Sequence, residues 1–265
     1  MNKVISMAEA ASLVPTGATL ALGGMTLYRR PAAFVFQLLR QPAPPRDLTL
    51  LCFTASYESD LLVGAGLVKR VRTCYFGFEA FGLAPMFTQA GNLGEIEIME
   101  ESEASLSFGL RAAISEVGFM PGRGWLGTDM LKLRPDVRTI IDPYSGEELV
   151  AFPALRPDIA VVHALEADRA GNAALGRNLG VDQELALAAR QLIVTTERVV
   201  DRLEHADVVA PLVTAVVEAP QGAWPTSCHP LYPMAGEEIM KYLEACGRED
   251  FDGYLKQRLL ERHGV

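Results

Sequence analysis

A chain of 265 residues with a net charge of −9 and 49% hydrophobic residues is long enough for one large α/β domain with a substantial core. The acidic balance argues against a nucleic-acid partner, because a phosphate backbone needs a basic stripe. No apolar run is long enough to span a bilayer, the first residues lack the apolar core of a signal peptide, and Cys52, Cys74, Cys228 and Cys246, without close spacing, read as reduced thiols of a cytoplasmic protein.

In chain order, Ser6 caps a predicted helix through Val14, and Pro15-Thr-Gly17 ends it. Residues 18–22 form a short apolar run, as a buried parallel strand requires. The stretch after it carries the most information. Gly23 and Gly24 permit a sharp turn and a close backbone approach to a ligand. Arg29 and Arg30 could hold a carboxylate or phosphate, and Pro31 opens a mostly buried helix through Leu39. Ligands of open α/β sheets sit at the carboxyl ends of strands, where this loop falls. The plainer alternative is a tight turn with solvated arginines. A second strand over 47–53 is followed by hydroxyl-rich residues 54–59, in which Ser56 orients a ligand or only caps a helix. A helix over 60–67 and a third strand over 71–76 come next.

Several motifs are absent. Gly64-Ala-Gly66 lacks the third glycine and the preceding strand of a dinucleotide fingerprint. There is no phosphate-binding GxxxxGK[ST] and no GxSxG nucleophile elbow. His163, His205, His229 and His263 are not in metal-ligand spacing with the cysteines, so the sequence contains no zinc motif.

Residues 77–90 read as a long apolar loop or short helix that packs under a neighbour, and 96–99 as a strand edge. Ser102 caps the next helix, in which Leu106, Leu110, Ala113, Ile114 and Val117 share a face. Glu103 then sits in its first turn. There it either complements the helix dipole or faces the ligand end of the sheet from a strand-to-helix junction. Residues 119–129, Gly127 among them, form a glycine-rich loop whose N–H groups could receive an oxygen anion. A hairpin over 140–150, a buried strand after Pro157, a helix over 182–190, a strand over 191–196, an edge strand over 208–217 interrupted by Pro211, a loop over 221–230 and helices over 239–245 and 251–262 complete the chain. The expectation is a single domain, 1–265, of α/β class: an open, mainly parallel sheet with helices on both faces.

Seven pieces stand in an order that resembles the A (alpha) subunit of the family I coenzyme A transferases. They are Gly23-Gly24 with Arg29-Arg30-Pro31, Gly82-Leu-Ala-Pro85, Phe119-Met-Pro121, Leu126-Gly-Thr-Asp129, Pro157-Asp-Ile-Ala160, Asp168-Arg-Ala-Gly-Asn172 and Gly222-Ala-Trp-Pro-Thr226. The likeness covers nearly the whole chain. It is similar to the alpha subunits of glutaconate coenzyme A transferases, and equally to those of steroid-ring hydrolases acting on cyclic coenzyme A thioesters. The resemblance implies a partner, the B (beta) subunit, in an A2B2 assembly with the active site between the chains. It implies acyl-coenzyme A and a carboxylic acid as substrates, coenzyme A as substrate rather than a permanently bound cofactor, and no metal. In the glutaconate-type transferases the nucleophilic glutamate belongs to the beta chain. In the hydrolases the catalytic glutamate lies in the alpha chain, and that carry-over falls on Glu103. Gly23, Gly24, Arg29, Arg30, Ser56 and Gly127 are expected to line the acyl-thioester site, with both arginines removable at no cost to the fold. Apolar surface at 78–87 is expected to meet the partner. Two readings come from other classes: a scaffold that leaves all chemistry to its partner, and a sugar-phosphate isomerase acting alone.

Overall fold

The computed structural model describes residues 2–261, so the expected helix end at Arg262 and His263 lie outside the described residues. The elements run α1 (Met7–Ser12), β1 (Thr19–Leu22), α2 (Ala32–Leu39), β2 (Leu48–Ala55), α3 (Tyr57–Gly64), β3 (Val68–Phe76), α4 (Pro85–Leu93), β4 (Glu97–Glu100), α5 (Glu103–Ile114), β5 (Phe119–Gly122), α6 (Met130–Leu133), β6 (Arg138–Ile141), β7 (Glu148–Pro153), β8 (Ile159–Asp168), β9 (Ala173–Ala174), α7 (Asp182–Ala188), β10 (Gln191–Val200), β11 (Ala215–Glu218), α8 (Gly236–Gly247) and α9 (Phe251–Leu260). Among the described residues the main sheet has the order β11-β10-β8-β1-β2-β3-β4. Every neighbouring pair along this path is parallel, with Leu20 of β1 set between Leu50 of β2 and Ile159 of β8.

Side chains alternate across a strand, and here both faces are dry. Leu20 and Leu22 of β1, Leu50 and Cys52 of β2, and Ile159 and Val161 of β8 pack against α1, α2 and α3 through Ala10, Phe34, Leu38 and Leu62. Their neighbours Ala21, Leu51, Ala160 and Val162 face the other way, onto Leu106 and Leu110 of α5 and Leu185 of α7. That two-sided burial explains why these strands read as unbroken apolar runs rather than alternating ones. The expected α/β class with helices on both faces is the observed architecture.

Three segments differ from expectation. Phe119–Gly122 is a strand, not part of a loop: β5 pairs antiparallel with β7 and forms a separate three-stranded sheet with the hairpin of β6 and β7. A local reading favours the loop because Pro121 and Gly122 are poor strand residues, but an edge position tolerates proline. The strand expected over 208–217 is shortened to β11, because Pro211 sits in a 3₁₀ turn over Ala210–Leu212. Within residues 78–87 the chain itself buries Phe78 and Ala84, whereas Glu79, Ala80, Gly82 and Leu83 are exposed. Phe78 is fully buried and packs with Tyr242 of α8 and Phe251 of α9 in a third core, leaving Leu83 exposed.

Asp60 of α3 shows how this third layer is tied down. No side chain caps α4 from its own N-cap. Asp60 does it from a distance, accepting the N–H groups of Met86 (3.2 Å) and Phe87 (2.7 Å) and the hydroxyl of Tyr242 (2.6 Å). Burial pushes its carboxyl up from 3.8 to about 6, although these three donors favour the ion. A folded-state value above the unfolded one means the folded chain holds the proton more tightly. The stability this group contributes is therefore present below about pH 4 and lost as pH rises through about 6. Melting of the native chain, measured against Asp60→Asn between pH 4 and 7, is expected to fall relative to the variant across that window; parallel curves would show that Asp60 does not titrate there.

Candidate functional site

The strand order changes direction at β1: the chain leaves it for β2 on one side and returns to β8 on the other. Loops at the carboxyl ends of strands around such a switch point form the binding crevice of open α/β sheets. The residues after β1 fill this position. Gly24 has φ +86°, and a Cβ there would lie 2.6 Å from the carbonyl oxygen of Arg29. At Gly23 a Cβ would lie 2.5 Å from Asp182 Oδ1. Two further residues, Thr26 (φ +47°) and Arg29 (φ +56°), hold the left-handed conformation without being glycine. For a β-branched residue such as Thr26 that is strained. The loop keeps this shape through bonds to its neighbours. Thr26 N–H donates to Thr54 Oγ1 (2.7 Å), and Ser56 Oγ donates to the Thr26 carbonyl (2.6 Å).

The arginines are not solvated, and they are not on the loop's outer face. Both are completely buried. Arg29 pairs with Asp182 (2.7 Å) at the start of α7 and donates to the His163 carbonyl (2.6 Å). Arg30 pairs with Glu58 of α3 (2.6 Å) and donates to the carbonyls of Gly24 and Thr54. Burial works against the Arg30 cation, but Glu58 and Cys52 outweigh it and hold the guanidinium above its ordinary range. Asp182 also accepts the Gly24 N–H (2.8 Å), so one carboxylate fixes both ends of the turn. Gly23, Gly24 and Ser56 are likewise buried, and the partly accessible residues of the loop are Met25, Thr26 and Tyr28. The expectation that the arginines can be removed without harm to the fold is thus corrected, since an unpaired buried charge is costly. Gly127 stands apart, exposed, with φ +73° and nothing within 4 Å of a Cβ.

Glu103 is the first residue of α5, at the carboxyl end of edge strand β4. It is exposed and has no hydrogen-bond or ion-pair partner among the described residues. Its turn is held rigidly. Ser102 caps the helix as expected, accepting Ser105 N–H, and also accepts the Trp125 indole N–H (2.8 Å). The preceding Glu101 is buried between Arg72 (2.5 Å) and Arg134 (2.8 Å) and accepts the Ser105 hydroxyl (2.6 Å). On neighbouring β3, burial pushes the Cys74 thiol up to about 12, and the carboxylates of Glu101 and Glu103 add to the effect. Asp182, Glu58 and Glu101 are invisible to local reading. Each looks like an ordinary acidic residue near a helix start, and its partner is set by the fold.

A second network lies on β8 and β10. His163, fully buried, has Thr195 Oγ1 2.9 Å from Nδ1 and Glu197 Oε1 2.8 Å from Nε2. Burial pulls its pKa below the ordinary value despite Glu197. Glu197 also accepts the Tyr232 hydroxyl and the Gln221 N–H (2.6 Å). Burial would raise its carboxyl, but these donors win and hold it below the usual range.

A profile described as coenzyme A transferase matches residues 4–219. The chain belongs to the coenzyme A transferase family. Its alpha-type character is clear from the relatives. It is 35% identical to the A subunit of 3-oxoadipate CoA-transferase from Pseudomonas knackmussii, over 88% of this chain and 84% of that one. It is also 35% identical to the cholesterol ring-cleaving hydrolase IpdA subunit of Rhodococcus jostii, over 84% and 79%. An uncharacterized protein of Archaeoglobus fulgidus is 35% identical as well, but this transferase-family chain spans only 59% of it. Among solved structures, the decarboxylase AibA/AibB C56S variant superposes with a TM-score of 0.92 at 30% identity, covering 98% of this chain and 100% of that one. Glutaconate coenzyme A transferase of Acidaminococcus fermentans superposes at 0.89 and 28% identity, covering 96% and 88%. One alpha-type fold thus occurs in proteins named as transferases, hydrolases and decarboxylases, so chemistry must be argued from site residues.

Proposed function

We propose that this chain is the alpha subunit of an A2B2 enzyme that moves coenzyme A between an acyl-coenzyme A and a carboxylic acid. The observation that carries this reading is the strained Gly23–Arg30 loop at the switch point of a coenzyme A transferase sheet. Ser56 and Glu103 stand at the carboxyl ends of strands on the same side of that sheet. Tyr28, Thr26 and Met25 are the accessible part of the loop, and Gly23, Gly24, Arg29 and Arg30 set its shape from beneath. Ser56 acts the same way, through its bond to Thr26. Gly127 is proposed to join the site only in the assembly. The reaction needs a carboxylate nucleophile, which this reading assigns to a glutamate of the partner. It attacks the thioester carbonyl and expels coenzyme A thiolate, giving a mixed anhydride. The thiolate then attacks the enzyme's own acyl carbon, releasing the first acid and leaving a glutamyl thioester. Attack by the second carboxylate reverses the sequence. Coenzyme A is a substrate here, and no resident cofactor or metal takes part in this sequence.

A second reading is favoured by Glu103, an exposed carboxylate with no partner among the described residues. In it, Glu103 is the general base of a hydrolase acting on a cyclic acyl-coenzyme A. Borohydride trapping of the assembled enzyme with acyl-coenzyme A tests the choice. A reduced glutamyl adduct on the beta chain supports the transferase, and its absence from active enzyme rejects it.

Among the described residues no helix is long and apolar enough to cross a membrane, and we assign the assembly to the cytoplasm, where its four free cysteines stay reduced. The chain exposes Leu83 (74%) on the approach to α4 and Leu93 (63%) at its end, apolar surface for a partner to cover. Co-expressed with the product of a neighbouring gene, it is expected to elute as a tetramer and to turn over acyl-coenzyme A. Purified by itself it is expected to be inactive. A lone chain that is monodisperse and active would end the two-chain proposal and restore the isomerase-like reading.

A further inference from the structure

Histidine and cysteine spacing contains no zinc motif, yet the fold gathers three donors from distant segments. His163 lies on β8, Glu197 on the adjacent β10, and Cys228 in the segment after β11, beyond the residues matched by the family profile. A ring nitrogen, a carboxylate oxygen and the sulfur all lie within 4.8 Å of one another. His163 and Cys228 are fully buried, and the Glu197 side chain is 8% exposed. We propose that His163 Nε2, a Glu197 carboxylate oxygen and Cys228 Sγ form a binding site for a borderline-soft divalent transition-metal ion, with zinc the best match to the donors.

Three protein donors of mixed N, O and S type with a fourth position open is the pattern of an accessible zinc site. Metal–ligand bonds of about 2.0–2.3 Å place donors roughly 3.2–3.8 Å apart in a tetrahedron. His163 and Glu197, now 2.8 Å apart, need to open by only tenths of an ångström. The protons balance. The Cys228 thiol releases one proton to solvent. The His163 ring stays neutral but changes tautomer, so Nε2 is free to coordinate and Nδ1–H donates to Thr195 Oγ1, already 2.9 Å away. Such a second hydrogen bond is what orients a metal-binding histidine. Tyr232 and the Gln221 N–H steady Glu197 in the same way. The charges balance too: thiolate and carboxylate neutralise a divalent ion, as burial demands. The nearby Arg29 cation is already matched by Asp182. Of the three donors, Glu197 alone borders a cavity of about 470 Å³, lined also by Leu165, Glu166, Ala174, Arg198, Pro230 and Leu231.

Bound metal would fasten the segment around Cys228 to β8 and β10. That segment supports the glycine loop, because Arg29 N–H donates to the Ser227 carbonyl (2.7 Å) and Ser227 N–H to the Leu27 carbonyl (2.9 Å). Occupancy should therefore raise the melting temperature by mass action.

Cobalt(II) titration of the metal-free chain tests the site without any activity assay. One equivalent is expected to produce a thiolate-to-cobalt charge-transfer band and four-coordinate visible bands, both abolished by competing zinc. Cys228→Ser should remove the charge-transfer band. Glu197→Gln, which keeps the size of the side chain and one acceptor oxygen while removing its charge, should weaken cobalt binding at least about tenfold. Zinc should raise melting in the native chain and not in Cys228→Ser. The site is rejected if no thiolate band forms. It is equally rejected if the band survives in Cys228→Ser, which would move the metal to another cysteine, or if Glu197→Gln binds as tightly as the native chain. The two substitutions are independent, so failure of one variant to fold leaves the other to decide.

Discussion

Under the hydrolase reading, Glu103→Gln, assembled with its native partner, is expected to lose at least about a hundredfold in turnover with its melting temperature unchanged. Two roles for this residue differ enough in size to be separated by one measurement. A carboxylate in the first turn of α5 complements the helix dipole by about 0.3–1 kcal/mol, and neutralising it would barely touch turnover. Loss of a general base costs about 10²–10⁴-fold, or roughly 3–5 kcal/mol at about 1.36 kcal/mol per decade. The fold has little to lose, because Glu103 is exposed and unpaired among the described residues, while its turn is held by Ser102, Trp125 and Glu101. A dead variant with no trapped adduct on the partner assigns a hydrolase with its base in this chain. A weakened variant whose partner still yields the glutamyl adduct assigns transferase chemistry and makes Glu103 a supporting group. Near-native turnover leaves Glu103 an ordinary helix-start residue.

Removing one partner of the Arg29–Asp182 pair is expected to destabilise the chain by about 3–5 kcal/mol. The side chains are 0% and 1% exposed, so neither survivor can recover its hydration. Asp182→Ala strands the Arg29 guanidinium and also frees the Gly24 N–H. Arg29→Ala strands Asp182 and takes the donor from the His163 carbonyl. Chemical denaturation reads the loss directly. Replacing both residues with apolar ones should cost less than the two single losses added, because no charge is then left buried alone. Single variants within about 1 kcal/mol of the native chain would mean the pair is open to water, as an exposed pair would be.

The layering is legible in local patterning. Apolar runs at 18–22 and after Pro157 are long enough and unbroken enough only for strands covered on both faces, and the helical segments between them force parallel crossovers. Ser6 and Ser102 marked helix starts because a cap is a local bond, made within three residues. Gly23 and Gly24 marked the loop because a positive φ and a missing Cβ are properties of single residues. The pairing of the buried charges is a long-range property of the fold. Asp182 is 153 positions from Arg29, and Arg134 is 33 from Glu101. No local period links such residues, so the same arginines read as ligand-binding groups in the sequence and as buried struts in the fold. Phe119–Gly122 became a strand for the same kind of reason: an edge of the second sheet accepts a proline that its own segment would not favour. His163, Glu197 and Cys228 are an extreme case. Their spacing carries no signal, and they meet only because β8 and β10 are neighbours and the chain beyond β11 folds back over them.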